Sequence, residues 1–166
     1  MDLPSDEFRR PESILDAIGI RQPPVDPKMV ARAVGIAVAE WDFDDAVSGV
    51  LLLDEGRRLI GYNRNHPECR QRFSVAHELG HYCLGHNPTL DVYLADPMGG
   101  PGTVFERQAN AFAAELLMPR LMVRKSFGRF GEDLPWLARE FGVSQQAMWI
   151  RLVELGLATE PTMGAF

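Results

Sequence analysis

Two cysteines, Cys69 and Cys83, are all the thiols in this 166-residue chain. They are too few for a disulfide framework, and both fall in or beside one helical pattern, which fits reduced side chains. Long apolar runs are missing as well. The longest extend over only a few residues, as at Val50 to Leu53, far short of the roughly 18 to 20 that cross a bilayer. The first ten residues, MDLPSDEFRR, carry no apolar segment of the kind a signal peptide needs. These absences place the expected location in the cytoplasm. Excess positive charge is lacking too: the formal net charge is −6, which argues against sequence-independent binding of nucleic acid over the whole surface. No internal repeat or low-complexity tract is present. The length suits one compact domain with a small appendage.

What remains reads as an α+β chain. Residues 1–25 hold Pro4, Pro11, Pro23 and Pro24 among charges and are expected to form an N-terminal arm, with a short amphipathic turn at Ser13 to Ile18. Asp26-Pro27 is a helix start, an N-cap followed by proline at the first helical position. Gly35 closes that helix. Extended segments follow at 36–43, 47–53 and 58–63, the last two joined as a hairpin through Asp54-Glu55-Gly56. A small, largely antiparallel sheet of about three strands is the expected result. Pro67 opens a helix over about 68–84, and Gly85 ends it. Residues 86–102 are rich in Pro and Gly and read as a long loop. Thr103 caps an Ala-rich helix that stops at Pro119. A shorter helix over 119–127 and two more within 133–157 complete the chain. The expected division is an arm at 1–25, a core at 26–119 and a helical segment at 120–166.

His77-Glu78-Leu79-Gly80-His81 lies inside the 68–84 helix. Residues four apart on a helix differ by about 40° and sit one turn above each other, so two imidazoles reach one ion from one side. Zinc accepts that geometry, and Glu78 at the edge of the same face can take a proton from a water that the metal activates. A chain of this composition produces the pattern by chance roughly 0.7% of the time. Two histidines among Phe73, Val75, Leu79 and Leu84 would otherwise require polar partners of their own.

A catalytic zinc takes three protein ligands, which leaves one to find. His86, Asp91, Asp96, Glu106 and Glu115 are the candidates. His86 stands five residues after His81, one short of the six that a third histidine of the metzincin pattern needs. Glu106 shares a helix face with Ala109, Asn110 and Ala113, small neighbours that let two helices approach, whereas Glu115 lies about half a turn out of phase. Spacing favours Glu106. A solvated glutamate in the first turn of a helix is its plain alternative.

The run Arg70-Gln-Arg-Phe-Ser-Val-Ala-His77-Glu-Leu-Gly-His81, followed by Glu106-Arg-Gln-Ala-Asn110-Ala-Phe-Ala-Ala-Glu-Leu-Leu-Met-Pro119, resembles the ImmA/IrrE family of zinc-dependent peptidases over roughly residues 27–157. The resemblance implies a zincin-like fold with His77, His81 and Glu106 as metal ligands and Glu78 as the catalytic residue. It also implies a regulatory endopeptidase of narrow specificity, one that cleaves a partner repressor of helix-turn-helix type to control a mobile element or a stress response.

Several features stand beside this core. Leu137 to Gly156 reads as a helix-turn-helix with Ser144 as N-cap. Six basic and four acidic residues in 120–158, a balance of +2, are thin for phosphate binding, so packing or substrate docking is the preferred use and DNA the lesser one. Arg70 and Arg72 can hold a substrate backbone or a neighbouring carboxylate, or serve the surface. Tyr93 and His86 are candidate oxyanion donors. Cys83 falls about 200° from His81 and reads as core. Trp41, Trp136 and Trp149 read as core or interface aromatics. A non-catalytic metal-containing regulator that binds a repressor or DNA is the alternative function, and hydrolysis of a small amide is less favoured. Two histidines and a carboxylate suit zinc, and also manganese or iron.

Overall fold

A computed structural model of the chain describes residues 6–54, 56–86 and 104–159. A short 3-10 turn at Asp6–Arg9 and helix α1 (Pro11–Ala17) lead into α2 (Pro27–Ala33), where the Lys28 N–H donates to Asp26 Oδ1 at 2.9 Å. Strands β1 (Ala37–Trp41), β2 (Gly49–Asp54) and β3 (Arg57–Asn63) follow, then α3 (Glu68–Leu84), α4 (Val104–Leu117), α5 (Arg120–Phe130), α6 (Leu134–Phe141) and α7 (Gln145–Glu154). This is the α+β architecture that the pattern predicts. No helix among the described residues is long and apolar enough to cross a membrane. Of the loop expected at 86–102, all but His86 lies outside the described residues, as does the cap at Thr103.

The three-stranded sheet has the order β1-β3-β2. β2 and β3 form the expected antiparallel hairpin, with Leu51 opposite Ile60 and Val50 opposite Gly61. β1 pairs in parallel with β3, Val38 opposite Ile60, so one of the two pairings departs from the antiparallel expectation. The connection from β1 to β2 skips a strand position, and β3 then enters between them. Asn63, with no exposed surface, pins that connection: its Nδ2 donates to the carbonyls of Asp44 (3.0 Å) and Val47 (2.9 Å).

Helix α3 is the centre of the molecule. It touches α4 on one side and β2 and β3 on another, and it buries Val75, Ala76, Leu79, Gly80 and Cys83. Leu79, Ile60 and Leu116 have no exposed surface, and burying each contributes about 1.5–3 kcal/mol. Gly80 decides how closely α4 approaches. A Cβ at this position would lie 3.1 Å from the Ala109 carbonyl oxygen and 3.2 Å from both Ala109 Cα and Phe112 Cβ, so the glycine inside the histidine motif is a packing requirement of the helix pair.

The stretch expected to be an arm contributes to this core. Ile14, Leu15 and Val25 are buried in one cluster with Leu79, Leu116 and Leu152. Apolar spacing at Ile14 and Leu15 supplies the helix face, Pro11 opens the helix at its first position, and Gly19, at a φ of 76°, follows its C-cap Ile18. The C-terminal helices join the same cluster through Leu137, Phe141 and Met148. Arg72 ties these parts together, with Nε donating to Gly142 O at 2.9 Å and Nη2 to Val25 O at 2.7 Å.

Candidate metal centre

His77 and His81 project from the same face of α3, one turn apart, their rings 4.7 Å apart and inclined at 71°. Glu106, in the first turn of α4, reaches across to them. Its Oε2 lies 3.2 Å from His77 Nε2, its Oε1 3.2 Å from His81 Nε2, and the two Nε2 atoms are 3.0 Å apart. Ligands bound tetrahedrally at 2.0–2.1 Å stand about 3.3 Å from one another. The three donor atoms therefore already have close to the spacing that a small divalent ion imposes.

Hydrogen bonds on the far side of each ring fix which nitrogen faces the ion position. His77 Nδ1 lies 2.9 Å from Asn110 Oδ1, which only accepts, so Nδ1 carries the proton and Nε2 a lone pair. His86 Nε2 likewise donates to Gln108 Oε1 at 3.0 Å, which leaves His86 Nδ1 to accept from His81 Nδ1 at 3.1 Å. His81 Nε2 is then a lone pair as well. Two lone pairs and a carboxylate converging on one point form a donor set for a cation, so these residues fit a zinc ion and the outer hydrogen bonds are the kind that orient its ligands.

Burial agrees with this protonation. It lowers the pKa of His77, with Glu106 pulling the other way, and takes His81 down to about 3, with His77 and His86 adding to the effect. Both imidazoles are neutral near pH 7, as ligands must be. Burial pushes the Glu78 carboxyl up to about 8, and the charge of Glu106 adds to the rise. Glu78 is lodged against the start of β2, where a Cβ on Gly49 would lie 3.3 Å from both its Cγ and its Oε1. A cation beside Glu78 returns it to the ionised form.

The fold thus brings together His77, His81, Glu106 and Glu78. His86 is adjacent, as a partner of His81 through the nitrogen that faces away from the ion position. Glu115 points elsewhere and forms an ion pair with Arg151. Asp91, Asp96 and Tyr93 lie outside the described residues. Cys83 is buried and its thiol is pushed up to about 12 by that burial. Spacing alone did not reveal the chain from Gln108 to His86 to His81, nor Gly49. The signal for the first was Gly85, whose left-handed φ of 72° turns the chain back so that the His86 N–H meets the His81 carbonyl.

A histidine pair on a central helix, a glutamate from the following helix and a small sheet alongside define a metallopeptidase-like domain. Residues 31–153 match the family described as Peptidase_M78, IrrE N-terminal-like domain, and the chain belongs to that family. It is similar to an "Uncharacterized immunity region protein 2" of Bacillus phage phi105, with 29% identity over 98 residues, 59% of this chain and 61% of the relative. The match thus spans less than two thirds of that protein. Its fold is similar to that of a solved Mycobacterium tuberculosis transcriptional regulator, with a TM-score of 0.64 and 18% identity over 90% of this chain and 47% of that one.

Proposed function

We propose that this protein is a zinc-dependent endopeptidase of narrow specificity that cleaves a partner helix-turn-helix repressor. The observation that carries this reading is the convergence of His77 Nε2, His81 Nε2 and Glu106 on one point with Glu78 beside it. Family membership supports the peptidase part. The phage relative is an immunity region protein and the structural neighbour a transcriptional regulator, which supports the regulatory part.

Each residue has a task. His77, His81 and Glu106 would hold the metal, with manganese or iron as the ions the same donors also suit. When bound, zinc supplies Lewis acidity, which polarises a scissile carbonyl and acidifies a water molecule. Glu78 takes a proton from the attacking water and delivers it to the departing amine. Asn110 and His86 keep the imidazoles in their donor tautomers. β2 pairs with β3 alone among the described residues, so its outer edge is open to an extended polypeptide, which favours a peptide over a small amide.

The binding-only alternative through DNA gains nothing from α7. Its one arginine, Arg151, is buried, and its exposed positions are Gln145, Gln146, Ile150 and Glu154. Elemental analysis of purified wild type is expected to give about one zinc per chain, lost in His77→Ala and Glu106→Ala and kept in Glu132→Ala. Glu78→Gln is expected to keep the metal while cleavage of the repressor slows by at least about 100-fold. Cleavage at the wild-type rate by Glu78→Gln overturns the mechanism.

A further inference from the structure

Two arginines precede the histidine motif on α3, and the fold uses them differently. Arg72 is committed to three backbone carbonyls, those of Val25, Phe141 and Gly142. Arg70 is exposed and donates from Nη2 to Ser48 Oγ at 2.9 Å, with no carboxylate paired to it among the described residues. Seven positions, close to two full turns, separate Arg70 from His77, so both lie on one face of α3, about 10 Å apart along its axis. Ser48 immediately precedes Gly49, the residue packed against Glu78. Arg70, Ser48, Gly49 and Glu78 therefore follow one line between α3 and the edge strand β2.

One hydroxyl occupies one of the five N–H donors of a guanidinium, and the remaining fork suits a carboxylate. Two acids of the β1–β2 connection are engaged elsewhere, Asp42 with Arg64 and Asn65, and Asp44 with the Ala46 N–H. An extended peptide advances about 3.3 Å per residue, so 10 Å is three residues. We propose that Arg70 is a specificity determinant that receives an aspartate or glutamate of the substrate polypeptide about three residues from the scissile bond. The assignment rests on the endopeptidase reading above. In a chain of net charge −6, an acidic segment is repelled over most of the surface, so one cation at the cleft confers register as well as affinity.

The test uses fluorescein-labelled decapeptide libraries with one position fixed as Asp, Glu, Asn or Lys and the others degenerate. Binding is measured on zinc-loaded Glu78→Gln protein, and hydrolysis on zinc-loaded protein that retains Glu78. Arg70→Ala, Arg70→Glu and Arg70→Lys are placed in both backgrounds, with circular dichroism and zinc content as controls for folding. One position is expected to favour Asp and Glu over Lys by about 10-fold or more, through KM where hydrolysis is seen. Arg70→Ala should abolish that preference, Arg70→Glu invert it and Arg70→Lys partly restore it. Absence of an acidic preference at every position, or a preference unchanged in Arg70→Glu, overturns the assignment. An Arg70-dependent preference in binding without hydrolysis of any library supports Arg70 and overturns the endopeptidase reading. Neither binding nor hydrolysis overturns both.

Discussion

His81 and His86 meet Nδ1 to Nδ1 at 3.1 Å, and Gln108 on the far side of His86 determines which of them holds the proton. In the proposed metal site His86 is therefore a positioning residue, acting through His81. His86→Ala is expected to lower zinc affinity by about 10- to 100-fold without abolishing stoichiometric binding, the scale seen when such outer partners are removed. Competition against a chromogenic chelator measures it. Complete loss of zinc in this variant would make His86 a ligand in its own right.

Gly80 keeps α3 and α4 in contact, and Glu106 rides on α4. Gly80→Ala forces its new methyl against the backbone of Ala109. It is expected to destabilise the fold by about 1–3 kcal/mol and to weaken zinc binding, both readable from urea unfolding with and without metal. Gly128→Ala on α5 is the contrast. Nothing lies within 4 Å of its Cβ position, so it should gain about 0.5–1 kcal/mol.

Arg151 joins α7 to α4 through its ion pair with Glu115 and donates from Nε to the Met118 carbonyl at 3.1 Å. Arg151→Ala is expected to cost roughly 3–5 kcal/mol, because it leaves the carboxylate largely buried and without its cation. The double variant Arg151→Met with Glu115→Leu should recover most of that loss. Chemical denaturation of the three proteins decides the matter. A change confined to DNA retention, with stability intact, would contradict the internal role.

The pH dependence of the metal-free protein follows from Glu78. Its folded-state pKa of about 8 stands above its ordinary 4.5, so its contribution to stability is complete below about 4.5 and is lost as pH rises through 8. His81, depressed to about 3, works in the opposite sense, with a contribution that is complete above 6.5 and lost as pH falls. Between pH 6.5 and 8 the Glu78 effect stands alone. Metal-free protein is expected to lose about 1–2 kcal/mol over that interval. Glu78→Gln should flatten the slope, and a wild type without slope would contradict it.

Much of the fold was legible because local chemistry and tertiary need coincide. Pro67 and Gly85 bracket α3 at the residues where it begins and ends. Asp26 and Ser144 cap their helices as their side-chain oxygens allow. The β2–β3 hairpin follows from two short extended segments separated by a Gly-containing turn. The parallel partner of β1 was not legible, because a strand's neighbour is chosen by non-local packing and leaves no trace in its own period.

The sequence by itself determined which residues make up the candidate metal cluster, since the phase of a helix is arithmetic. His77 and His81 share a face at four residues, Glu106 faces that site in the first turn of α4, and Glu115 does not. Tertiary structure alone decided what surrounds those donors: Asn110 and His86 behind the imidazoles, Gly49 against Glu78, Arg70 on Ser48 and Arg151 on Glu115. These contacts join residues from 22 to 36 positions apart in most cases. Such pairings depend on how helices and strands pack in space, which local spacing does not encode.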